Sequence, residues 1–167
     1  MSSRSGFGKP FMFIAWGLAL ALLVWFFEDK LQQQFNPNQQ VSTQQLGNQL
    51  VVQLEQNRMG HYVAKGRVNG QPVTFLLDTG ATLVAIPEPL AQRLGLKKGR
   101  QGMSQTANGR VITYRTVIDQ LQLGDIVLDD VQASITPGMD GDIILLGMSA
   151  LKQFELTQKG DTLTIRY

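Results

Sequence analysis

Hydrophobic and polar positions divide the chain into three stretches. Residues 11–27, FMFIAWGLALALLVWFF, form an unbroken apolar run, whereas residues 28–49 are mostly polar and rich in Gln and Asn. From Leu50 onward, short apolar runs alternate with turn residues. A long uncharged run is typical of a membrane-spanning helix, and short runs bounded by Gly, Asn and Asp are typical of strands. The pattern predicts an apolar helix, a linker over residues 28–49 and a folded domain over residues 50–167.

Several turn signals within the domain predict β-hairpins. Asn69-Gly70 and Asn108-Gly109 each lie between extended runs, and this dipeptide readily adopts the positive φ angles of tight hairpin turns. Gly124-Asp125 separates two further strands, and the chain closes with another hairpin, FELTQKGDTLTIRY. We predict that its final strand, TLTIRY, is a bare edge that invites pairing with a second copy.

Two short stretches of the domain have helical features. In PEPLAQRLGL, Leu90 and Leu94 are four residues apart and a glycine follows as a stop signal. In GDIILLGMSALKQF, an apolar strand passes through Gly147 into a second short helix, where Ser149 is interpreted as a helix-start residue. The domain is therefore predicted to be all-β with one or two short helices.

The apolar run is predicted to be a single-pass membrane anchor. Its 17 residues span about 26 Å as a helix, slightly less than a hydrocarbon core of about 30 Å. Arg4 and Lys9 precede the run and Glu28 and Asp29 follow it, so the positive-inside rule places residues 1–10 in the cytoplasm. A cleaved signal peptide is the alternative, but the run ends in VWFFEDK, with bulky aromatics where a cleavage site needs small residues.

Composition excludes several classes of function. The 167 residues include no cysteine, which rules out disulfides and thiol nucleophiles. The net charge is only +2, and the basic residues are scattered along the sequence rather than grouped as in a nucleic-acid-binding surface. His61 is the only histidine, and GMDGDI lacks the remaining ligands of a calcium loop. The sequence therefore predicts no metal, no cofactor and no nucleic-acid partner.

An ionisable residue interrupts the apolar stretch TFLLDTGATLVAIP at Asp78. Burying a carboxylate in such surroundings is costly unless the group is paired or has a function. One interpretation is structural, with the carboxylate capping a tight turn. The other is catalytic, and it gains weight from a second apolar-apolar-Gly motif, IILLG, some 65 residues further on.

With that second motif, the Asp-Thr-Gly stretch resembles the retroviral-type (retropepsin-like) aspartic proteases. The stretches GHYVAKGRVNGQPVTFLLDTGAT, LAQRLGL, TANGR and LLGMSALKQF are more narrowly similar to the bacterial membrane-anchored branch of that clan. The resemblance covers residues 50–167 and implies a closed β-barrel-type acid protease fold. It implies Asp78 as the catalytic carboxylate and the following as supporting loop residues: Thr79, Gly80, Ala81 and Thr82, with Leu145, Leu146 and Gly147 in the second loop.

The implied chemistry explains why these residue types are needed. Hydrolysing a peptide bond without a metal requires one group to activate water and another to protonate the carbonyl oxygen, and two adjacent carboxylates sharing one proton do both. Gly80 allows the backbone to approach the carboxylate. As the matching family positions do, Thr79 would bond across to the partner loop and Thr82 to the outer oxygen of the carboxylate.

The chain contains a single Asp-Thr-Gly and therefore half of such a site. The second carboxylate must come from another copy, so a homodimer acting on a peptide or protein substrate is expected. The second Asn-Gly hairpin is the predicted flap over the substrate, with Thr106, Ala107, Asn108 and Gly109 at its tip. Resemblance alone places the domain in the periplasm, anchored in the inner membrane. The alternative is a membrane-anchored adaptor of the same fold that binds peptides without cutting them.

Overall fold

The computed structural model describes residues 8–106 and 109–167, which contain three helices and eleven strands. The helices are α1 (Gly8–Phe35), α2 (Glu88–Arg93) and α3 (Met148–Leu151). The strands are β1 (Thr43–Leu46), β2 (Gln49–Glu55), β3 (Val63–Val68), β4 (Gln71–Leu77), β5 (Val84–Pro87), β6 (Gln101–Thr106), β7 (Gly109–Leu123), β8 (Ile126–Thr136), β9 (Ile143–Leu146), β10 (Glu155–Lys159) and β11 (Thr162–Arg166).

The larger sheet is closed into a ring. Its strand order is β3-β4-β9-β5-β8-β7-β6, and β3 also pairs with β7 at Arg67↔Gln122 and Val68↔Leu121. Six strands therefore form a barrel, while β6 extends from the first half of β7 as the outer arm of a hairpin. Gly66 permits the closure, because a Cβ there would lie 2.4 Å from both the Gln122 carbonyl oxygen and the Phe75 ring.

The predicted hairpins and short helices are present. Asn69 and Gly70 have φ angles of +49° and +77°, as a tight primed turn requires, and they join β3 to β4. Turns at Gly124 and Gly160 join β7 to β8 and β10 to β11. The all-β prediction with two short helices in the domain and an apolar N-terminal helix before it is confirmed.

A smaller sheet, in the order β1-β2-β11-β10, packs its inner side chains into the same core as the barrel. Val52, Leu54 and Ile165 from this sheet are completely buried, as are Phe75 and Ile144 from the barrel. Burying apolar side chains in one shared cluster stabilises both sheets together, because neither sheet can separate without exposing that surface to water.

The prediction that TLTIRY is an edge strand is wrong. β11 pairs with β10 on one side and with β2 on the other, so its backbone groups are already used within the chain. The edges of this sheet are β1 and β10. A pattern of alternating apolar residues does not distinguish a central strand from an edge strand, because both bury one face.

The segment predicted to be a linker, residues 28–49, contains regular structure. Helix α1 continues to Phe35, and β1 pairs with β2 from Thr43↔Val52 to Leu46↔Gln49. Gln has a good helix propensity, so a Gln-rich composition next to an established helix extends it rather than ending it. The folded unit therefore includes residues before Leu50.

Asn38, which follows the end of α1, forms hydrogen bonds to strands β2 and β3. Only 7% of this residue is exposed, and its side-chain amide donates hydrogen bonds to the carbonyl oxygens of Glu55 (2.9 Å) and Val63 (2.7 Å). Its Oδ1 accepts a bond from the Glu55 N–H (2.8 Å), and its backbone oxygen accepts one from the Lys65 N–H (3.2 Å). Asn38 thus bridges β2 and β3 where these strands do not pair with one another.

Helix α1 itself ends against the same region. The side chain of Asn57 donates a hydrogen bond to the carbonyl oxygen of Phe35 at 2.9 Å, and the Asn36 side chain accepts one from the Asn38 N–H at 2.9 Å. The first of these bonds partners a carbonyl oxygen that the C-terminus of a helix otherwise leaves unpaired. The polar residues of this segment hold the helix to the domain instead of separating them.

Replacing Asn38 with Ala tests this attachment. The substitution leaves the backbone groups of Glu55 and Val63 without their partner, and an unpaired buried polar group costs about 1–3 kcal/mol. We expect the full-length chain in detergent to melt several °C lower. Gln40→Ala, at an exposed position two residues away, is the control. Equal melting temperatures for the two variants would contradict the role of Asn38.

Candidate active site

The Asp78 loop and the Gly147 loop leave the same end of two adjacent parallel strands. β4 pairs with β9 in parallel, with Leu77 opposite Leu146, so the residues after each strand emerge side by side. The N–H of Asp78 donates a hydrogen bond to the carbonyl oxygen of Leu146 at 3.1 Å. The two motifs, which are 65 residues apart in sequence, are therefore brought together at the end of the barrel where β4 and β9 finish.

The Asp78 carboxylate is held by its own loop. It is half-buried, and its Oδ1 accepts a hydrogen bond from the N–H of Gly80 at 2.9 Å. The N–H of Ala81 donates to the carbonyl oxygen of Asp78 at 3.2 Å, which closes the turn. A Cβ at Gly80 would lie 3.1 Å from Oδ1, so the absence of a side chain allows the close approach of backbone to carboxylate.

The two threonines of the loop face solvent. Thr79 and Thr82 are both exposed, and within the described part of this single chain neither hydroxyl makes a hydrogen bond. The bonds predicted for them, across to a partner loop and to the outer carboxylate oxygen, stay predictions. A hydroxyl exposed next to the carboxylate remains available to a second molecule.

Backbone hydrogen bonds join the two loops beyond Asp78. The N–H of Met148 donates to the carbonyl oxygen of Ala81 at 2.8 Å, and the N–H of Ser149 donates to that of Thr82 at 3.0 Å. Gly147 is buried at the closest point, where a Cβ would lie 2.3 Å from the carbonyl oxygen of Leu83 and 2.6 Å from that of Ala81. Only glycine fits this position without separating the loops.

Ser149 does not have the helix-start role that its sequence position indicates. The cap residue of α3 is Gly147, and no side chain caps this helix. The Ser149 hydroxyl instead donates a hydrogen bond to the carbonyl oxygen of Gln132 at 2.7 Å and accepts one from the N–H of Val84 at 3.0 Å. Sequence reasoning missed this contact, because Gln132 and Val84 are brought near only by the pairing of β5 with β8.

The predicted flap corresponds to the β6–β7 hairpin. Its pairing extends from Gln101↔Tyr114 to Thr106↔Gly109, while Ala107 and Asn108 lie outside the described residues. Gly109 has a φ of +107°. Met103 and Ile112 are opposite each other on the two arms, and 67% and 50% of these side chains are exposed. The hairpin thus presents apolar side chains to solvent on an arm outside the barrel.

Two other titratable groups, Asp142 and Tyr62, lie outside both loops. Asp142 pairs with Arg93 at 2.6 Å on the surface, and the described residues contain no group of three or more His, Asp or Glu side chains that could hold a metal. Burial, with a smaller contribution from the charge of Asp161, raises the pKa of the Tyr62 phenol. The phenol therefore stays neutral, and the carbonyl oxygen of Tyr62 accepts a bond from the N–H of Leu77, the residue before Asp78.

A surface groove on the described part of the chain is lined by residues outside both loops. It measures about 530 Å³, and its lining residues include Lys97, Arg115, Asp119 and Gln132 but none from residues 78–83 or 146–149. This groove therefore does not contain Asp78.

Comparisons with known proteins agree with this arrangement. A family profile described as "gag-polyprotein putative aspartyl protease" matches residues 64–153. Among solved structures, the chain is similar to a retropepsin-like aspartic protease from Rickettsia conorii, with 26% identity and a TM-score of 0.60. That match covers 75% of this chain and 94% of the other. The barrel and both loops lie largely within the matched family region.

Two curated relatives from bacteria are uncharacterized. One, encoded in the cobV 5′ region of a Sinorhizobium species, is 30% identical over 130 residues, which is 75% of this chain and 55% of the relative. The other, protein RP867 of Rickettsia prowazekii (strain Madrid E), is 29% identical over 99 residues, covering 58% of this chain and 42% of the relative. The matched regions thus span about half the length of these relatives.

Replacing Gly147 with Ala tests the contact between the loops. Backbone oxygens at 2.3 and 2.6 Å cannot move aside like a flexible side chain, so we expect the free energy of unfolding to fall by about 2 kcal/mol or more. Urea denaturation of the full-length chain in detergent measures the change. Gly102→Ala is the control, since its Cβ would first meet Thr113 Oγ1 at 3.6 Å. Equal losses in both variants would show that the contact tolerates separation.

Proposed function

Because the chain belongs to the gag-polyprotein aspartyl protease family and has the retropepsin-like fold, we propose that it is an aspartic endopeptidase with Asp78 as its catalytic carboxylate. The observation that supports this most directly is the hydrogen-bonded contact between the Asp78 loop and the Gly147 loop. This contact holds a carboxylate, oriented by the Gly80 N–H, at the end of the barrel where β4 and β9 finish.

The proposed reaction is the addition of water to a peptide carbonyl by a pair of carboxyl groups. The ionised carboxylate removes a proton from water as the water oxygen bonds to the carbonyl carbon, while the protonated carboxyl donates its proton to the carbonyl oxygen. Collapse of the tetrahedral intermediate breaks the C–N bond: the leaving nitrogen takes the proton that the first carboxyl removed from water, and the other carboxylate takes the proton of one hydroxyl as the carbonyl re-forms, which restores the pair. The protons belong to the pair rather than to either residue.

The second carboxyl group is proposed to be Asp78 of another copy of this chain. A two-fold axis next to the loop would place two equivalent carboxylates together, and one Asp-Thr-Gly per chain requires such an arrangement. Thr79 is exposed in the single chain and is proposed to hydrogen-bond across that axis, while Thr82, also exposed, is proposed to bond the outer oxygen of the carboxylate. The assembled enzyme is therefore a homodimer with one active site shared by both copies.

The substrate is proposed to be an extended peptide held by the β6–β7 hairpin. Among the described residues, β6 is the outermost strand of the larger sheet, so from Gln101 to Ser104 the side that faces away from β7 has no strand partner in that sheet. An extended peptide can add to such an edge, and the exposed Met103 and Ile112 provide apolar contact for its side chains.

Helix α1 is proposed to anchor the enzyme in a membrane. Its segment Pro10–Phe35 is 26 residues long and about 39 Å in length, with a mean hydropathy of 2.1 in its most apolar window and none of that window buried. Trp25 and Phe27 are exposed near the end of the apolar run, where interfacial aromatics stabilise spanning helices. An inner-membrane anchor with the domain in the periplasm would confine two copies to one plane and raise their effective concentration.

Replacing Asp78 with Asn is expected to reduce peptide cleavage by at least about 100-fold, because Asn keeps the shape of the side chain but cannot exchange a proton. The assay uses the full-length chain in detergent and a denatured protein mixture from pH 4 to 7, with and without a statine-type peptide inhibitor. Asp125→Asn, at an exposed turn, is the control and should cleave normally. Cleavage that survives Asp78→Asn would refute the proposed role, and peptide binding without cleavage by the wild type would favour the adaptor.

Co-expression of wild-type and Asp78→Asn chains tests the shared site. If one active site needs two Asp78 carboxylates, random pairing of equal amounts leaves about one quarter of the dimers active. The specific activity should then fall to about one quarter of the wild-type value. A fall to one half, in simple proportion to the wild-type fraction, would show that each chain acts alone.

A further inference from the structure

We infer that Ser149 is a positioning residue of the active site, a role that rests on the proposed aspartic protease activity. Its hydroxyl donates a hydrogen bond to the carbonyl oxygen of Gln132 at 2.7 Å and accepts one from the N–H of Val84 at 3.0 Å. A serine hydroxyl has one donor and two acceptor positions, so a single side chain holds two different strands.

The two bonds of the Ser149 hydroxyl lie where the Asp78 loop ends and β5 begins. Val84 is the first residue of β5, the point where the Asp78 loop re-enters the barrel, and Val84 is completely buried. β5 pairs in parallel with β8 from Val84↔Ala133 onward, and Gln132 comes immediately before that pair. The Ser149 hydroxyl therefore bonds to both strands where their pairing begins, and it partners the N–H of a completely buried residue.

The backbone of Ser149 also binds the Asp78 loop, at Thr82, which is closer to Asp78 in sequence than Val84 is. Its N–H donates a hydrogen bond to the carbonyl oxygen of Thr82 at 3.0 Å, so one residue holds the chain at both Thr82 and Val84. At the other end of the loop, the N–H of Asp78 is bonded to Leu146. The segment that carries the carboxylate is thus fixed at both ends by the strand-loop-helix unit that contains Gly147.

The effect on catalysis follows from the symmetry of the proposed dimer. If the hydroxyl is lost, the end of the loop can move, and the displacement occurs in both copies of the shared site. Two carboxylates that must meet around one water tolerate little movement, and a misplacement of about 1 Å can cost on the order of 100-fold in rate. The loss should appear mainly in kcat, because Ser149 itself is not expected to contact the peptide.

The test compares Ser149→Ala, Ser149→Thr and Ser149→Cys in the full-length chain, assayed in detergent with one fluorogenic peptide that the wild type cleaves. Ser149→Ala should lower kcat by about 10- to 100-fold with KM within about threefold of wild type. Ser149→Thr keeps the hydroxyl and should restore most of kcat. Ser149→Cys, with a weaker hydrogen-bonding group, should be intermediate.

A matched control separates positioning from general stability. The buried Ser134 hydroxyl donates a hydrogen bond to the carbonyl oxygen of the same Val84 at 3.5 Å, but among the described residues its side chain has no hydrogen bond to residues 78–82 or 147–149. Ser134→Ala should change the melting temperature without a comparable loss of kcat. Equal losses of kcat in Ser134→Ala and Ser149→Ala would overturn the positioning role, and so would a Ser149→Ala variant with wild-type kcat.

The remaining outcomes also decide the question. If Ser149→Ala does not fold, Ser149→Cys takes its place, and a wild-type kcat for that variant would overturn the inference. A folded wild-type chain that cleaves no peptide would instead refute the proposed protease function. Cleavage by the wild type with unchanged kcat in the Ser149 variants would refute only the role of Ser149.

Discussion

The close approach of Gly147 to the Asp78 loop is the constraint on which the rest of the structure depends. The backbone of residues 147–149 lies so near the carbonyl oxygens of Ala81 and Leu83 that no side chain fits between them, and hydrogen bonds from Met148 and Ser149 hold it there. Such a contact needs strands β4 and β9 to be adjacent and parallel. Closing the barrel through β3 and β7 maintains that adjacency, since it removes an edge at which the sheet could open.

Catalysis by this arrangement would require the loop to be positioned more accurately than the stability of the fold requires. A folded domain tolerates small backbone shifts, whereas two carboxylates sharing one water do not. Backbone hydrogen bonds, together with one to the Ser149 hydroxyl, hold the loop that carries Asp78. Backbone contacts between two loops that follow adjacent strands can position a carboxylate accurately, because rigid strands orient a site better than a loop supported only by side chains.

The N-terminal segment shows a different use of polar residues. Asn36, Asn38 and Asn57 form hydrogen bonds that hold the end of helix α1 against the barrel. A helix attached in this way transmits its orientation to the domain, so an anchor in a membrane would also limit how two copies can meet. A flexible tether would instead leave that orientation free.

Local chemistry by itself determined much of this protein: the apolar helix, the Asn69-Gly70 hairpin, the short helices and the Asp78 motif follow from side-chain patterns that act over a few residues. The tertiary structure alone decided that β11 is a central strand, that Asn38 is buried and that Ser149 joins β5 to β8. These features depend on partners many residues away. Composition and periodicity report what a segment prefers, but hydrogen bonds between distant segments are decided only when the chain packs.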